Sequence, residues 1–250
     1  MLLFIERLSL RQFWALILAL YFSATLPLLT SWPVLWPDEV HFADIARTFA
    51  EHGYLGTTLI KGMENHVYWQ PPMYFVILAG VIKVVGFDIV ALRIFSILVG
   101  LAIIILTYQI AVRASNNLVV PRLALLFLAV NPLFVNYIKL VRMDGVCLLW
   151  NLLAIYSALS TRERVWIPAT FVALACFTHP FGLIGACAFF LFALFAEEGK
   201  KRWQNILVLI SVLAIGFGLW GAYIAQDITS FLFQMNFQFA RKASNTVVAP

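Results

Sequence analysis

Two adjacent carboxylates, Asp38 and Glu39, come directly after the first long apolar stretch of the chain. Charged side chains beside a bilayer are costly unless water, a protein partner or a substrate meets them. A carboxylate at that depth could act as a general base toward an incoming hydroxyl or amine. The simpler alternative is that both acids only stabilise the start of the helix that follows them.

Three cations near the ends of later apolar stretches could form a phosphate site. They are Arg93, Lys139 and Arg142. A guanidinium matches phosphate oxygens in a two-pronged geometry, so the arginines are the leading candidates and Lys139 is secondary. The alternative is that the arginines only anchor helix ends at the lipid headgroups.

Asp144 and His179 complete the set of polar candidates. Asp38 and Asp144 could hold a divalent cation, Mg²⁺ or Mn²⁺, that neutralises a leaving phosphate, and the sequence establishes no other cofactor. Asp144 suits an acid at a helix N-terminus equally well. His179 precedes Pro180, which favours a turn residue over a catalytic one.

The composition is that of a polytopic membrane protein. Of the 250 residues, 63% are hydrophobic and 12% are charged, and the mean hydropathy is +0.92. The net charge of +5 arises from short cationic clusters between apolar stretches, a pattern typical of membrane orientation rather than of nucleic-acid binding. Cys147, Cys176 and Cys187 lie inside apolar stretches and show neither metal-ligand spacing nor a disulfide pattern.

Seven segments are predicted to cross the membrane, because a spanning helix needs about 20 apolar residues. The predicted spans are 13–32, 91–112, 121–138, 143–160, 166–178, 181–196 and 204–225. The spans 166–178 and 181–196 result from dividing the stretch 166–196, which is too long for one span. His179–Pro180–Phe181–Gly182 interrupts that stretch, and proline and glycine end helices.

The segment 72–87 is apolar but short and carries Lys83, so we expect it to lie at the interface or to re-enter. Only then do the cations of the short loops share one side, the cytoplasmic side. These cations are Arg7, Arg11, Arg113, Arg122, Arg162, Arg164, Lys200, Lys201 and Arg202. Asp38–Glu39, Arg93, the turn 139–144 and His179 then converge on the opposite, non-cytoplasmic face.

The chain is therefore predicted to be one membrane module. The first span is followed by an outer loop, 33–90, in which 39–51 forms an amphipathic helix on the membrane surface with Val40, Ala43, Ile45, Ala46 and Phe49 on its apolar face. Six further spans occupy 91–225. The segment 226–250 begins another outer loop, and the protein is expected to continue beyond it.

Several short motifs occur in a fixed order along nearly the whole chain. They are Pro37–Asp38–Glu39 with Phe42–Ala43 and Ala46, Gln70–Pro71–Pro72–Met73–Tyr74, Ala91–Leu92–Arg93, Asn131–Pro132–Leu133–Phe134, Arg142 with Asp144, and Thr178–His179–Pro180–Phe181–Gly182. No single motif is specific, but the ordered set resembles the GT-C glycosyltransferases. The nearest branch is the protein O-mannosyltransferase-like family, which includes the lipid A aminoarabinose transferases.

The resemblance implies a seven-helix module with helices lying in the first outer loop. It implies that Asp38 is the catalytic base, that Glu39 is its usual neighbour, and that Arg93 and Asp144 line the rim of the active site. Gln70, Tyr74 and His179 join the arginines, Lys139 and Asp144 as substrate-binding candidates. Gln70 stands where aminoarabinose transferases have a lysine for the lipid phosphate, and His179 stands where a lysine is common, so the donor remains open.

The expected function is sugar transfer from a polyprenyl-phosphate carrier to a glycan, lipid or protein acceptor outside the cytoplasm, with inversion. The expected location is the bacterial inner membrane, with the active site facing outward. One alternative is a transporter or lipid flippase, which would need polar residues at mid-membrane and often repeated halves. Another is a non-catalytic membrane scaffold with the same fold.

Overall fold

The computed structural model describes residues 7–27, 29–31, 34–160 and 164–247, with side chains described as far as residue 240 apart from that of Ala196. Arg162, one of the predicted cytoplasmic cations, lies outside the described residues, as do 248–250. The described residues are mainly helical and contain no strand, which confirms the all-α membrane fold.

The helices with described bounds are α1 (Leu10–Thr25), α2 (Pro37–His52), α3 (Met73–Val85), α4 (Ile89–Ala114), α5 (Val119–Val130), α6 (Pro132–Ile138), α7 (Met143–Ser160), α8 (Trp166–Thr178), α9 (Gly182–Ala196), α10 (Gly199–Ile224) and α11 (Ile228–Val247). The main hydrophobic core lies among α1 to α7, and a smaller one joins α7 to α8, α9 and α10.

The first predicted span, 13–32, is a shorter helix than expected. α1 ends at Thr25 after 16 residues, which gives it a length of about 24 Å. Pro27 follows closely, and proline ends a helix because its nitrogen carries no hydrogen and its ring clashes with the preceding turn. The predicted boundary between span and loop, at residues 32 and 33, lies outside the described residues.

Three helices, α4, α7 and α10, are long and apolar enough to cross a membrane, and they coincide with predicted spans. The predicted span 121–138 is broken. α5 and α6 meet at an angle of 59°, because Pro132 opens α6 and the Asn131 side chain accepts from the Phe134 N–H at 3.0 Å. α8 and α9 are apolar but shorter. The protein is an integral membrane protein, and the count of seven spans stays a prediction.

α3 corresponds to the segment predicted not to cross. It contains 13 residues and ends at Gly86, whose φ of 82° lies in the left-handed region that glycine adopts readily. A helix of this length measures about 20 Å, which is short of the roughly 30 Å apolar thickness of a bilayer. The length agrees with an interfacial or re-entrant helix.

α2 is the predicted amphipathic helix of the outer loop, with one change in its faces. Phe42, Ala43, Ile45 and Ala46 are buried in the main core, where α2 packs against α3, whereas Val40 is 38% exposed. The apolar face of α2 therefore packs against other parts of the protein. The tight packing explains how two adjacent acids on α2 can have different environments.

The segment after α10, predicted to begin another outer loop, is helical. α11 extends from Ile228 to Val247, and the Asp227 side chain caps its start by accepting from the Ser230 N–H at 2.9 Å. Gln234 and Gln238 on α11 are buried, while Ile228, Leu232 and Phe239 are exposed. α11 thus turns a polar side toward the outer loop.

Candidate active site

Glu39 and Arg93 form a buried ion pair at the centre of the candidate site. Arg93 donates from Nε to Glu39 Oε1 at 2.8 Å and from Nη2 to Glu39 Oε2 at 2.7 Å. Glu39 is fully buried and Arg93 is 2% exposed. Two charges taken out of water need such a two-pronged contact to offset their lost hydration.

Both members of this pair also bind backbone groups of other segments. Arg93 Nη1 donates to the Leu29 carbonyl at 2.7 Å, and the Val141 N–H donates to Glu39 Oε1 at 3.1 Å. The pair therefore ties the segment after α1 to α2, α4 and the turn before α7. Glu39 was predicted to be catalytic and Arg93 to bind phosphate, but their polar atoms are engaged inside the protein, so the geometry assigns both to positioning.

Asp38, beside Glu39 on α2, belongs to a second and more open group of charges. Arg142 Nη1 lies 3.4 Å from Asp38 Oδ2, and Arg142 Nε donates to Asp144 Oδ2 at 2.9 Å. The Asp38 side chain is 32% exposed and that of Arg142 is 22% exposed. Among the described residues, Asp38 Oδ1 and Arg142 Nη2 form no hydrogen bond or ion pair. Because both side chains are partly exposed, these two atoms are accessible to a ligand.

His179 extends this row of charges beyond Asp144. Its Nε2 lies 3.9 Å from Asp144 Oδ1, and its Nδ1 accepts from the Phe181 N–H at 3.1 Å. An accepting Nδ1 puts the proton of the neutral ring on Nε2, the nitrogen that faces Asp144. The residue before a proline avoids the helical region, so α8 ends at Thr178 and presents His179 at this edge.

Tyr74 lies close to the same charges, although it belongs to α3. Its side chain is fully buried, and its hydroxyl has no hydrogen-bond partner among the described residues. Burial, and after it the negative charges of Glu39 and Asp144, hold the pKa of Tyr74 well above its ordinary value. The phenol therefore stays protonated and can donate a hydrogen bond to a ligand.

Gln70 and Lys139 are buried and form no hydrogen bond or ion pair with the row of charges among the described residues. Gln70 is 5% exposed, and its Oε1 has no partner in the described chain. Lys139 is 4% exposed, with Nζ at 3.5 Å from the Ala24 carbonyl. Burial, and then the neighbouring charge of Arg93, lower the pKa of Lys139. The substrate-binding roles of Gln70 and Lys139 stay predictions.

A long apolar groove opens beside Asp144 and His179. Its volume is about 900 Å³, and α7, α8, α9 and the start of α10 form its walls. Along α7 it extends from Asp144 to Leu159, a distance of about 22 Å at the helical rise per residue. The groove can hold an amphiphile whose polar head lies at Asp144 and His179.

The residues at this site do not fit a resident divalent cation. The described chain contains no group of three or more histidine, cysteine, aspartate or glutamate side chains that could hold a metal ion. Asp38 and Asp144, the predicted ligands, are instead bridged by Arg142. The guanidinium of Arg142 lies between the two carboxylates, where a shared cation would bind.

Sequence reasoning missed Asp44, a buried acid that holds the outer loop. Asp44 Oδ2 accepts from the Thr57 hydroxyl at 2.8 Å and the Thr58 N–H at 2.7 Å, and Oδ1 accepts from Arg47 at 2.6 Å. Burial raises the pKa of Asp44, but these hydrogen bonds and the charge of Arg47 outweigh it and hold the pKa below its usual value. The pairing of Asp44 and Arg47 one helical turn apart was the available sequence signal.

Residues 69–224 match the family described as dolichyl-phosphate-mannose-protein mannosyltransferase. The chain belongs to this family. The matched range of this mannosyltransferase family includes Arg93, Arg142, Asp144 and His179, and it begins after Asp38. Membership confirms the predicted GT-C superfamily.

A comparison with curated proteins gave no match. Among solved structures, the chain is similar to the S. cerevisiae protein O-mannosyltransferase Pmt1-Pmt2 complex bound to the sugar donor. The TM-score is 0.60, and the sequence identity is 17% over 90% of this chain. This likeness supports the fold described above for this chain. The chain spans about a third of that yeast chain, 34% of its length.

Proposed function

We propose that this protein transfers a sugar from a polyprenyl-phosphate donor to an acceptor on the non-cytoplasmic side of the membrane. The observation that carries the proposal is the apolar groove, which begins at Asp144 and His179 and adjoins the exposed Asp38–Arg142 pair. A polyprenyl-phosphate sugar has the same order of parts, namely an apolar tail, a phosphate and a sugar. Family membership favours this activity over a transporter or an inactive scaffold.

The tail of the donor would lie between α7, α8 and α9. Leu148, Ile155, Val172 and Phe189 are among the apolar side chains of the groove. The prenyl tail already lies in lipid hydrocarbon, so entering the groove exchanges contacts with lipid tails for van der Waals contacts with these side chains. The tail therefore orients the donor, and polar contacts hold its phosphate end.

The donor phosphate would bind to Arg142 and His179. Asp38 and Asp144 carry two negative charges against the one positive charge of Arg142, so an anionic phosphate requires further hydrogen-bond donors. His179 can supply one from Nε2, because its Nδ1 accepts from the Phe181 N–H and the ring proton therefore lies on Nε2. Arg142 Nη2 would donate to the phosphate, as guanidinium groups do.

Asp38 would act as the general base. Its Oδ1 would accept the proton of the acceptor hydroxyl while the acceptor oxygen bonds to the anomeric carbon. The bond from that carbon to the phosphate oxygen breaks, and polyprenyl phosphate leaves with the electron pair. Phosphate is a good leaving group, so the main tasks of the protein are positioning and stabilisation of charge. A single displacement inverts the anomeric centre.

The sidedness of this proposal rests on the positive-inside pattern of the loops. The short loops and chain segments around Arg11, Arg113 and Lys201 are cationic, which favours a cytoplasmic position for them and an outward position for Asp38. A bacterial inner membrane, with a glycan, lipid or protein acceptor, fits this orientation.

Substitution of Arg142 by lysine tests the proposal. Lysine keeps the charge but cannot make the two-pronged contacts of a guanidinium. Hydrogen bonds to charged groups contribute about 1.5–3 kcal/mol, so we expect the KM for a polyprenyl-phosphate sugar to rise about ten- to a hundredfold in Arg142→Lys. The matched control is Arg113→Lys, which changes an exposed arginine at the C-terminus of α4. Unchanged kinetics in Arg142→Lys would mean that the phosphate is held elsewhere.

A further inference from the structure

Several buried polar atoms without hydrogen-bond partners among the described residues belong to segment 66–70 of the outer loop and to the two helices that meet at the corner of α10 and α11. Their side chains are those of His66, Trp69, Gln70, Trp220, Tyr223 and Gln238. Nearly all buried polar groups in folded proteins have a partner, so several unpaired ones require an explanation. We call these six side chains the aromatic–amide cluster.

Ring contacts and hydrogen bonds join segment 66–70 to α10 and α11. The Tyr223 ring lies 4.8 Å from that of Tyr68 and 6.2 Å from that of His66. Gln234 accepts from the Tyr68 N–H at 2.8 Å and donates to the His66 carbonyl at 2.8 Å. Gln238 follows one turn later on the same side of α11 and is 5% exposed.

The chemistry of the aromatic–amide cluster fits a sugar. Indole, phenol, imidazole and carboxamide groups supply neutral donors and acceptors beside aromatic faces. Sugar hydroxyls both donate and accept, and the apolar face of a sugar ring packs on aromatic rings. No aspartate, glutamate, lysine or arginine belongs to the cluster, so an anionic headgroup has no counter-charge within it.

We propose that the aromatic–amide cluster binds a sugar of a glycan acceptor and that the structure shows this site closed. The proposal rests on the proposed function, because it names the acceptor of the same reaction. Segment 66–70 leads through Pro71–Pro72 to Tyr74, which lies near Glu39 and Asp144. A sugar at the cluster would therefore lie next to the segment that leads to the charges of the candidate active site.

Opening requires α11 to separate from the outer loop. Among described contacts, it is held by the two hydrogen bonds of Gln234 and by Phe233, whose ring would lie 3.3 Å from a Cβ at Gly62. Bound sugar hydroxyls would supply the hydrogen-bond partners that the cluster lacks. Ligand binding thereby compensates for the two backbone contacts that opening breaks.

The test compares Gln238→Leu with Asn236→Leu in the full chain, reconstituted in nanodiscs without sugar-based detergents. Asn236 is the matched control, because it is an exposed amide on the same helix. The probes are the free disaccharides lactose, maltose and mannobiose, followed by saturation-transfer NMR. We expect at least one to bind, with affinity lowered about tenfold in Gln238→Leu, the effect of one lost hydrogen bond, and unchanged in Asn236→Leu. Melting temperatures of both variants should match the wild type.

Release of polyprenyl phosphate from the donor by water is measured in parallel, and the control Asn236→Leu should retain it. Absence of disaccharide binding to the wild type, or equal binding in Gln238→Leu, overturns the sugar site. Gln238-dependent binding of a serine-containing hexapeptide instead of the disaccharides also overturns it, in favour of a protein acceptor. Gln238-dependent disaccharide binding without any donor turnover supports the sugar site and counts against the proposed function.

Discussion

Arg142 is the side chain through which the candidate site is organised. It contacts Asp38 on α2 and Asp144 on α7, and the turn that carries it is fixed by the hydrogen bond from Val141 to Glu39. Two carboxylates that would repel each other are thus held together with one guanidinium between them. One oxygen of Asp38 makes no hydrogen bond to a described residue, and we propose that this oxygen faces the acceptor.

Substitution of Tyr74 by phenylalanine distinguishes a ligand-binding hydroxyl from a structural one. A buried hydroxyl without a partner costs about 1–3 kcal/mol, so Tyr74→Phe should leave the melting temperature unchanged or raise it. We expect sugar transfer to fall about tenfold, because the phenol loses its hydrogen bond to the substrate.

The matched control is Tyr21→Phe. Tyr21 is equally buried, but its hydroxyl donates to the Ile97 carbonyl at 2.8 Å. That variant should lose about 1 kcal/mol of stability without a specific effect on the donor KM. A Tyr74→Phe protein that is destabilised yet fully active would show that the hydroxyl has no contact with substrate.

The sequence predicted which residue types meet at the site, but not which of two neighbours faces the substrate. Asp38 and Glu39 are adjacent, and successive residues on a helix point about 100° apart. Which of them is buried depends on the position of Arg93, 54 residues later in the chain. That pairing is a product of tertiary packing and has no local signal.

At the scale of elements, the buried Glu39–Arg93 pair joins four segments that are distant in sequence. The pair itself joins α2 to α4. Its hydrogen bonds with Leu29 and Val141 also fix the segment after α1 and the turn before α7. The helices α4, α7 and α10 were predicted closely from their length and apolarity. The early end of α1 and the helical structure of α11 were not, because a proline and a buried polar face altered the simple apolar pattern.

Breaking this pair should destabilise the protein. Glu39→Gln leaves Arg93 buried without its counter-charge, a change that costs about 3–5 kcal/mol. We expect a large fall in melting temperature. The double variant Glu39→Leu with Arg93→Leu should recover much of that stability, since apolar replacements of a buried pair are often nearly neutral.

Activity separates positioning from mere stability in this experiment. The double variant should still turn over the donor poorly, because the Val141 N–H loses its acceptor and the turn before Arg142 is no longer fixed. A double variant that is both stable and fully active would show that the pair does not position Arg142.

At the scale of the whole molecule, the donor groove begins at Asp144 and His179, which belong to the row of charges that begins at Asp38. The order of motifs along the chain predicted the family correctly. The shape of the groove could not be predicted, because it depends on how far α8 and α9 separate from α7. The number of crossings is also set by the whole chain and stays a prediction.

The orientation of α3 can be measured directly. Cysteines replacing Asn65 and Asn116, both exposed, flank α3 and α4 in a background without the three native cysteines. If α4 crosses and α3 does not, impermeant reagents should label the two positions from opposite sides of the membrane. Labelling from the same side would contradict the seven-span arrangement.

The most direct measurement of the central claim is turnover of a polyprenyl-phosphate sugar by the purified protein in proteoliposomes, with Asp38→Asn beside the wild type. The matched control is Asp88→Asn, which alters an exposed helix-capping acid. General bases typically contribute about a hundredfold or more to rate. The account predicts that wild type and Asp88→Asn release polyprenyl phosphate at similar rates, while Asp38→Asn is at least about a hundredfold slower at an unchanged melting temperature. Equal turnover in Asp38→Asn, or none in the wild type with any hexosyl or pentosyl donor, would contradict it.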